Sequence, residues 1–211
     1  AARAARDAIV KGDYDSAAGI LEIGADDVKI MVMVKALSYG SGNIEIANML
    51  QYQQVDYLVV AFIDEGIELR NSGIRLPIMV LNPDPSGFGQ MIAFNLEPEI
   101  RDIKNYPIHI KLDTGMHRLG FQEEGIAELL SLLEKGPFRL SSVFSHMAAS
   151  DEAGQDEFSR EQFRRFDRIS GHLEEVLTYP FDRHILNSAG IERFPDAQYQ
   201  MVRLGIGLHG I

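Results

Sequence analysis

One lysine stands where a buried strand turns into a glycine-rich loop, and its amine could act as a nucleophile. Lys35 follows the unbroken apolar run 30–34, which is typical of a strand covered on both faces of a parallel sheet. Such strands present their chemistry at their carboxyl ends. Gly40 and Gly42 would let the backbone approach a ligand closely before a helix that starts near Asn43, which could cap it. The alternative is a structural lysine that snorkels from the strand edge into solvent.

A second set of polar side chains shares one face of a predicted strand. Period-two alternation over residues 108–113 puts His109, Lys111 and Asp113 on one face and the apolar residues between them on the other. In a barrel, one of these faces is the interior, so the polar set would point toward the barrel axis. The alternative is a structural layer of paired ionic groups.

Two more predicted strand ends carry groups that could bind a ligand. His146 follows one strand, although a lone histidine is more often a packed or capping residue than a catalyst. Ser188 follows another strand. Its hydroxyl and the backbone N–H groups of a turn at Gly205 and Ile206 could hold a phosphate. The sequence shows no metal-ligand spacing of histidines and carboxylates, and no G-x-S-x-G motif.

The chain between these groups alternates between strands and helices. Strands are predicted over residues 30–34, 57–62, 77–81, 96–100, 108–112, 140–145 and 183–187. Helices are predicted over residues 43–54, 65–71, 88–94, 123–134 and 158–177. Strands that are separated by helices favour a parallel sheet, and their number favours an α/β fold of the (β/α)8 TIM barrel type.

Two intervals are too short for a complete barrel. Parallel neighbours need a crossover of about a dozen residues, but only residues 101–106 separate two predicted strands. No strand-plus-helix unit is recognisable before residue 30 either. We therefore expect a shortened barrel over residues 29–211, preceded by an uncertain helical segment over residues 1–28.

Composition limits the class of protein. The 211 residues are 45% hydrophobic, which is enough for a sizeable core in one domain. With 20 Lys and Arg against 31 Asp and Glu, the formal charge of -11 repels nucleic acid and anionic membrane surfaces. The absence of cysteine excludes disulfides and thiolate metal sites. No run approaches a membrane span and no signal-peptide pattern is present, so we expect a cytoplasmic protein.

Five motifs in one order resemble the alanine racemase family, whose members bind pyridoxal phosphate in an N-terminal barrel domain. The motifs are M-V-K-A-L-S-Y-G-S-G, I-K-L-D-T-G-M-H-R-L-G-F, S-H-M-A-A-S-D-E, N-S-A-G-I-E-R-F and M-V-R-L-G-I-G-L-H-G. The chain looks most like the racemase half of a bacterial protein in which a cell-wall ligase is fused to a racemase. This resemblance implies interconversion of L-alanine and D-alanine for peptidoglycan synthesis, by a homodimer.

The resemblance also implies a cofactor, pyridoxal 5'-phosphate, and a role for each matching residue. Lys35 would be the catalytic residue that binds the cofactor's aldehyde and moves one of the two Cα protons. The family's phosphate-binding positions match Tyr39, Ser188, Gly205 and Ile206, the last two through their backbone.

Four cationic or titratable side chains complete the resemblance. Arg203 matches the arginine that faces the pyridine nitrogen; it keeps its proton at working pH, so it can donate a hydrogen bond but not a proton. Arg118 matches the arginine near the cofactor's phenolic oxygen and the substrate, and His146 matches the histidine that supports it. Because two cations aimed at one site repel, we predict that Lys111 is carbamylated and pairs with Arg118 as an anion.

The sequence also departs from the family pattern. No C-terminal β-domain is recognisable, and in the family that domain supplies a tyrosine as the second base of the partner's site. His209 stands where many family members have tyrosine. We therefore expect the 211 residues alone to racemise poorly. Two alternatives stay open: a barrel of the pyridoxal-phosphate homeostasis type that carries the cofactor without turnover, and a structural fragment that binds nothing.

Overall fold

The computed structural model describes residues 28–96, 106–136 and 138–209. The predicted helical segment before residue 28, the predicted strand beyond Leu96 and the short connection after it lie outside these residues. The chain divides into two units, which are described separately: one comprises Ala1–Ile100 with Arg203–Ile211, and the other comprises Arg101–Val202.

The described residues alternate between strands and helices, as predicted. The strands are β1 (Lys29–Met33), β2 (Tyr57–Val60), β3 (Ile78–Val80), β4 (Tyr106–Lys111), β5 (Phe138–Phe144), β6 (Asp182–His184) and β7 (Met201–Leu204). The helices are α1 (Asn43–Tyr52), α2 (Ile63–Asn71), α3 (Phe88–Ala93), α4 (Ile126–Lys135), α5 (Asp156–Val176) and α6 (Ser188–Arg193). Single 3₁₀ turns occupy Pro85–Gly87, Glu123–Gly125, Ala153–Gln155, Pro195–Ala197 and Ile206–His209.

The first unit is built on a sheet with the strand order β3-β2-β1-β7. β1 and β2 are parallel, with Val32 opposite Leu58, and β2 and β3 are parallel, with Val59 opposite Met79. These four side chains are at most 3% exposed. The apolar runs therefore form strands covered on both faces, as parallel sheets require. The strand β7 was not predicted, because its short sequence interrupts the apolar pattern with Arg203.

Helix α2 ties this sheet to the segment that follows it. The Arg70 guanidinium donates hydrogen bonds of 2.7 to 3.0 Å to four backbone carbonyls, those of Ile74, Leu76, Phe94 and Asn95. The bonds fix the approach to β3 and the end of α3. The predicted start of α1 is confirmed, but the predicted cap is wrong. Gly42 precedes the helix, and the Asn43 amide donates instead to Glu68 on α2, at 2.8 Å.

The second unit is built on a parallel sheet with the order β4-β5-β6. Its core includes Leu112 and Val143 from the strand side and Phe166 and Leu173 from α5, all fully buried. The register of β4 and β5 shifts between Ile108 and His109. This irregularity decides which β5 side chain lies opposite His109.

A glycine holds the segment after β4 against the end of that strand. Gly120 has φ +127°, and a Cβ there would lie 2.7 Å from the Asp113 nitrogen and 2.9 Å from the Lys111 carbonyl oxygen. Both partners are backbone atoms, which cannot move aside as a flexible side chain could. The glycine is therefore required by conformation and by space.

We expect Gly120→Ala to lower the free energy of unfolding by about 2 kcal/mol or more, because the new methyl group meets backbone at an unfavourable φ. Urea denaturation measures it. Gly171→Ala is the matched control: it makes the same change inside α5, where a Cβ meets nothing within 4 Å. That control should raise stability by about 0.5–1 kcal/mol. Equal effects of the two substitutions would contradict the close approach.

Candidate active site

Lys35 lies directly beyond β1, where the strand-end prediction placed it. The preceding residue continues the sheet, since the Val34 N–H donates to the Val59 carbonyl at 2.9 Å. Lys35 itself is half-buried. Its backbone is therefore fixed by the sheet while its side chain stays accessible.

The segment after Lys35 is a left-handed helical turn, where the sequence suggested only a glycine-rich loop. Ala36, Leu37, Ser38 and Tyr39 have φ between 50° and 56° and ψ between 33° and 51°. An L-residue in this region costs about 1–2 kcal/mol, so the four together cost on the order of 4–8 kcal/mol. Such strain persists only where surrounding contacts over-determine the backbone, and it is concentrated at functional sites.

Backbone hydrogen bonds close the turn. The Ser38 N–H donates to the Val34 carbonyl at 3.1 Å, and the Gly42 N–H donates to the Leu37 carbonyl at 3.0 Å. Gly40 and Gly42 also have positive φ, whereas Ser41 between them has a φ of -92°. Ser38 is fully buried, while Leu37 is 58% exposed. The turn therefore buries its smallest polar side chain and presents the larger ones.

Side-chain contacts bring the segments after β1 and β7 together. The Tyr39 ring lies edge-on to His209, with centroids 5.4 Å apart. His209 Nδ1 is 3.3 Å from Ser41 Oγ. β1 and β7 are neighbours in the sheet, and these contacts show that the residues that follow them lie at one edge. Sequence analysis noted His209 only as a departure from the family and did not single out Ser41.

Two groups at this edge keep their protons at neutral pH. Partial burial raises the pKa of the Tyr39 phenol, so the hydroxyl can donate a hydrogen bond. Arg203 on β7 is 6% exposed, and burial lowers its pKa to about 10, which leaves the guanidinium charged. Gly205 is buried directly after β7, and Ile206 begins a 3₁₀ turn.

The segments after β4, β5 and β6 carry the predicted site residues of the second unit. Arg118 lies exposed after β4, His146 is half-buried after β5, and Ser188 begins α6 after β6. The three strands are parallel, so these segments follow the same edge of their sheet. Asn187 caps α6, since its side-chain oxygen accepts from the Gly190 N–H at 3.0 Å.

An aspartate at the start of the segment that carries Arg118 accepts hydrogen bonds from the backbone of that segment. Asp113 Oδ1 accepts from the backbone N–H groups of Gly115 and His117, at 3.1 and 3.0 Å. Its Oδ2 lies 3.3 Å from His117 Nδ1. Burial opposes the charged form, but the bonds from His117, Gly115 and the Gln122 side chain outweigh it. The pKa of Asp113 therefore lies below its ordinary value.

Lys111 lies above an aromatic ring. Its Nζ is 6.0 Å from the ring centre of Phe144, a position that attracts a cation. Phe144 in turn stacks on His184, at 5.2 Å between centroids and 9° between planes. The carbamate that the family resemblance suggests for Lys111 stays a prediction, which the intact mass in bicarbonate buffer checks.

Sequence analysis missed a buried network that His109 enters. Ser142 Oγ lies 2.5 Å from His109 Nδ1 and 2.8 Å from His184 Nε2. A hydroxyl has one proton, so Ser142 donates to one imidazole and accepts from the other. The two rings must therefore hold complementary protonation at these nitrogens. This supports the structural interpretation of His109 over a ligand-binding one.

A buried glutamine on α5 fixes the segments after β4 and β5. Gln162 Nε2 donates to Thr114 Oγ1 at 3.3 Å and to the His146 carbonyl at 3.1 Å, while its Oε1 accepts from the Ala148 N–H at 3.0 Å. Ser145 Oγ donates to the Leu112 carbonyl at 2.8 Å. Sequence analysis did not single out Gln162, and it included Ser145 only as the first residue of the S-H-M-A-A-S-D-E motif.

The described parts of the chain contain neither a cluster of metal-binding side chains nor a helix that could span a membrane. Within residues 28–96, 106–136 and 138–209, no group of three His, Asp or Glu side chains could hold a metal ion. No helix in these ranges has the length and apolar character needed to cross a membrane.

Strands and helices alternate along the described chain, and the sheets of both units contain parallel strands, which defines an α/β protein. Residues 20–211 match the family model for the alanine racemase N-terminal domain. The chain belongs to this family. The barrel fold predicted from the alternation of strands and helices is thereby confirmed, and so is the resemblance of the five motifs to this family.

Curated relatives are similar over nearly the whole chain. Alanine racemase 2 of Caldanaerobacter subterraneus subsp. tengcongensis is 38% identical over 210 residues, which cover 90% of this chain and 53% of the relative. The alanine racemase of Geobacillus stearothermophilus is 36% identical over 214 residues, with coverages of 94% and 54%. The chain thus spans about half the length of these relatives.

Solved structures show the same fold. Alanine racemase from Clostridium difficile superposes with a TM-score of 0.84 at 32% identity, covering 93% of this chain and 56% of that one. The Bacillus anthracis alanine racemase with bound L-Ala-P gives 0.83 at 28% identity, covering 98% and 56%.

The hydrogen bonds to the Asp113 carboxylate predict how stability depends on pH. Because the folded-state pKa of Asp113 is depressed, its carboxylate adds stability that is present above the unfolded-state pKa and is lost as the pH falls through the folded-state pKa. Asp113→Asn should lower the free energy of unfolding by about 1–2 kcal/mol at pH 7. The variant should also lose less stability than the wild type below about pH 4. Urea titrations at pH 7, 5, 4 and 3 measure both, with Asp151→Asn, which changes an exposed carboxylate, as the control. Parallel pH profiles for wild type and Asp113→Asn would refute the assignment.

Proposed function

We propose that this chain is the pyridoxal-phosphate-binding barrel of an enzyme that interconverts L-alanine and D-alanine. The observation that carries the proposal is Lys35 at the end of β1, followed by a strained turn that sets Tyr39 beside the segment after β7. Family membership and relatives that are named alanine racemase support the reaction. A solved alanine racemase from Clostridium difficile is a complex with cycloserine.

The chemistry of the groups in the first unit fits a phosphorylated aldehyde. The Lys35 amine can add to an aldehyde carbon. The Tyr39 hydroxyl is a hydrogen-bond donor at neutral pH, and with the backbone N–H groups of Gly205 and Ile206 it would bind the phosphate. Arg203 offers N–H donors and no acceptor, so it would face the unprotonated pyridine nitrogen.

The protein's own residues would then control proton movement. Bound pyridoxal phosphate supplies an electron sink that makes the Cα–H bond of an amino acid acidic. Lys35 Nζ would take or deliver the Cα proton on one face only. Inversion needs a second acid–base group on the opposite face, which the family resemblance assigns to a tyrosine of the C-terminal β-domain. Arg203 keeps its own proton because its pKa of about 10 lies well above neutral pH, which weakens the sink and favours prompt return of the proton to Cα.

Residues of the second unit have roles in this proposal through the family resemblance. Arg118 would bind the substrate and the cofactor's phenolic oxygen, with His146 in support. Ser188 would bind the phosphate at the start of α6. The Gln162 bonds hold the His146 backbone, and the Asp113 bonds close the segment that presents Arg118.

The finer parts of the proposal rest on the sequence, and chiefly on the family resemblance. They are the use of D-alanine in peptidoglycan synthesis in the cytoplasm, assembly as a homodimer, a fused ligase partner, and a barrel domain spanning residues 29–211. Since the relatives are about twice as long, the 211 residues tested alone should bind the cofactor and turn alanine over slowly.

Borohydride trapping tests the central residue. After incubation with pyridoxal phosphate and reduction, we expect a phosphopyridoxyl group on Lys35, found by peptide mass spectrometry, and at least a tenfold loss of incorporation in Lys35→Ala. Lys135→Ala removes an exposed amine on α4 and should leave incorporation at Lys35 unchanged.

A coupled assay for D-alanine then separates the two functions that bind the cofactor. Slow formation of D-alanine that depends on Lys35 supports a racemase, whereas labelled protein with no turnover supports a carrier barrel. No preferential labelling of Lys35 in folded protein would contradict both.

A further inference from the structure

We infer that Glu65 is a positioning residue for Lys35, because its carboxylate holds the start of the left-handed turn against the end of β2. The inference rests on the proposed function, since it concerns how the amine of Lys35 is presented to an aldehyde. Glu65 lies in the first turn of α2 and is half-buried. No motif in the sequence pointed to it.

Three backbone N–H groups converge on this one carboxylate. Oε1 accepts from Ala36, the residue after Lys35, at 2.8 Å. Oε2 accepts from Ala61 at 2.7 Å and from Phe62 at 3.1 Å, both directly after β2. The bond from Phe62 is a helix cap, because Phe62 precedes α2. The bond from Ala36 has no capping purpose. It joins the site segment after β1 to the neighbouring helix.

A second carboxylate on the same helix holds the other end of the turn. Glu68 lies one helical turn after Glu65 and accepts from the Asn43 side chain at 2.8 Å. The left-handed residues and the two glycines that follow them lie between Ala36 and Asn43. Side chains of helix α2 therefore form hydrogen bonds with both ends of the turn, and the bond at Ala36 is next to Lys35.

Glutamine at position 65 would separate the two functions of this carboxylate. A glutamine side chain has one acceptor oxygen, while its amide NH2 group only donates. Two N–H donors meet at Oε2 and one meets at Oε1. The acceptor oxygen is therefore expected to stay with Ala61 and Phe62, and the bond from Ala36 is lost. The cap of α2 survives, so Glu65→Gln should remain folded.

The first measurement is amide hydrogen exchange by NMR in the 211-residue chain without cofactor. In Glu65→Gln the Ala36 amide should exchange at least tenfold faster than in the wild type, while the Val143 amide in β5 changes less than twofold. Glu68→Gln and Asp64→Asn are the controls. Glu68→Gln keeps the one acceptor that Asn43 needs, and Asp64→Asn removes an exposed carboxylate from the same helix turn.

The second measurement is the reactivity of the Lys35 amine toward pyridoxal phosphate. During incubation with pyridoxal phosphate, the ratio of borohydride-trapped label on Lys35 to label on exposed Lys135 should fall at least tenfold in Glu65→Gln. It should stay within twofold of the wild type in both controls. Lys135 serves as an internal standard within each sample, so a general loss of folded protein does not change the ratio.

The outcomes separate this inference from the proposed function. Wild-type protein in which Lys35 reacts no faster than Lys135 contradicts the proposed function and, with it, the positioning role. Faster Ala36 exchange with an unchanged labelling ratio makes Glu65 merely structural and overturns the inference. If Glu65→Gln does not fold, the wild type still decides: an Ala36 amide that exchanges as fast as a freely exposed one contradicts the tether.

Discussion

The left-handed turn after β1 is the constraint on which the candidate site depends. Four consecutive L-residues in this conformation are unstable by themselves, so the turn exists only because neighbouring groups hold it. Its own backbone bonds satisfy part of its polar groups, and the Ser38 side chain is buried on its inner face. The remaining restraints come from α2. A strained segment held in this way directs Lys35 and Tyr39 along fixed paths from the sheet edge.

The turn also explains why residues distant in sequence meet. The path of the chain through Gly40 and Gly42 brings Ser41 to His209, and it sets the Tyr39 ring against the same histidine. A right-handed turn at this point would send these side chains elsewhere. The contact between the segments after β1 and β7 is thus a consequence of backbone handedness rather than of strand pairing alone.

Periodicity in the sequence predicted most elements but could not predict these details. Apolar runs and helical spacing located β1, β2 and α5 to within a few residues, because burial imposes both patterns. The left-handed turn was missed since Ala36, Leu37 and Tyr39 are ordinary helix or strand residues, and only glycine signals positive φ. The Ser142 network was missed because the shift in register between β4 and β5 places Ser142, rather than its neighbour, opposite His109. Tertiary context fixed both features.

In both units, a polar side chain from a helix forms hydrogen bonds with the segments that follow two neighbouring strands. In the first, Glu65 from the helix after β2 accepts bonds from the segments after β1 and β2. In the second, Gln162 from the helix after β5 bonds to the segments after β4 and β5. The hydrogen-bonding groups of the two sets of segments explain the choice of residue. Three backbone N–H donors require a carboxylate, which only accepts. A hydroxyl, a carbonyl and an N–H group require an amide, which both donates and accepts. A short distance beyond the strands, the segments are no longer held by the hydrogen-bond ladder of the sheet. A polar side chain from the following helix therefore takes over that function, and it sets the precision with which each unit presents its functional groups.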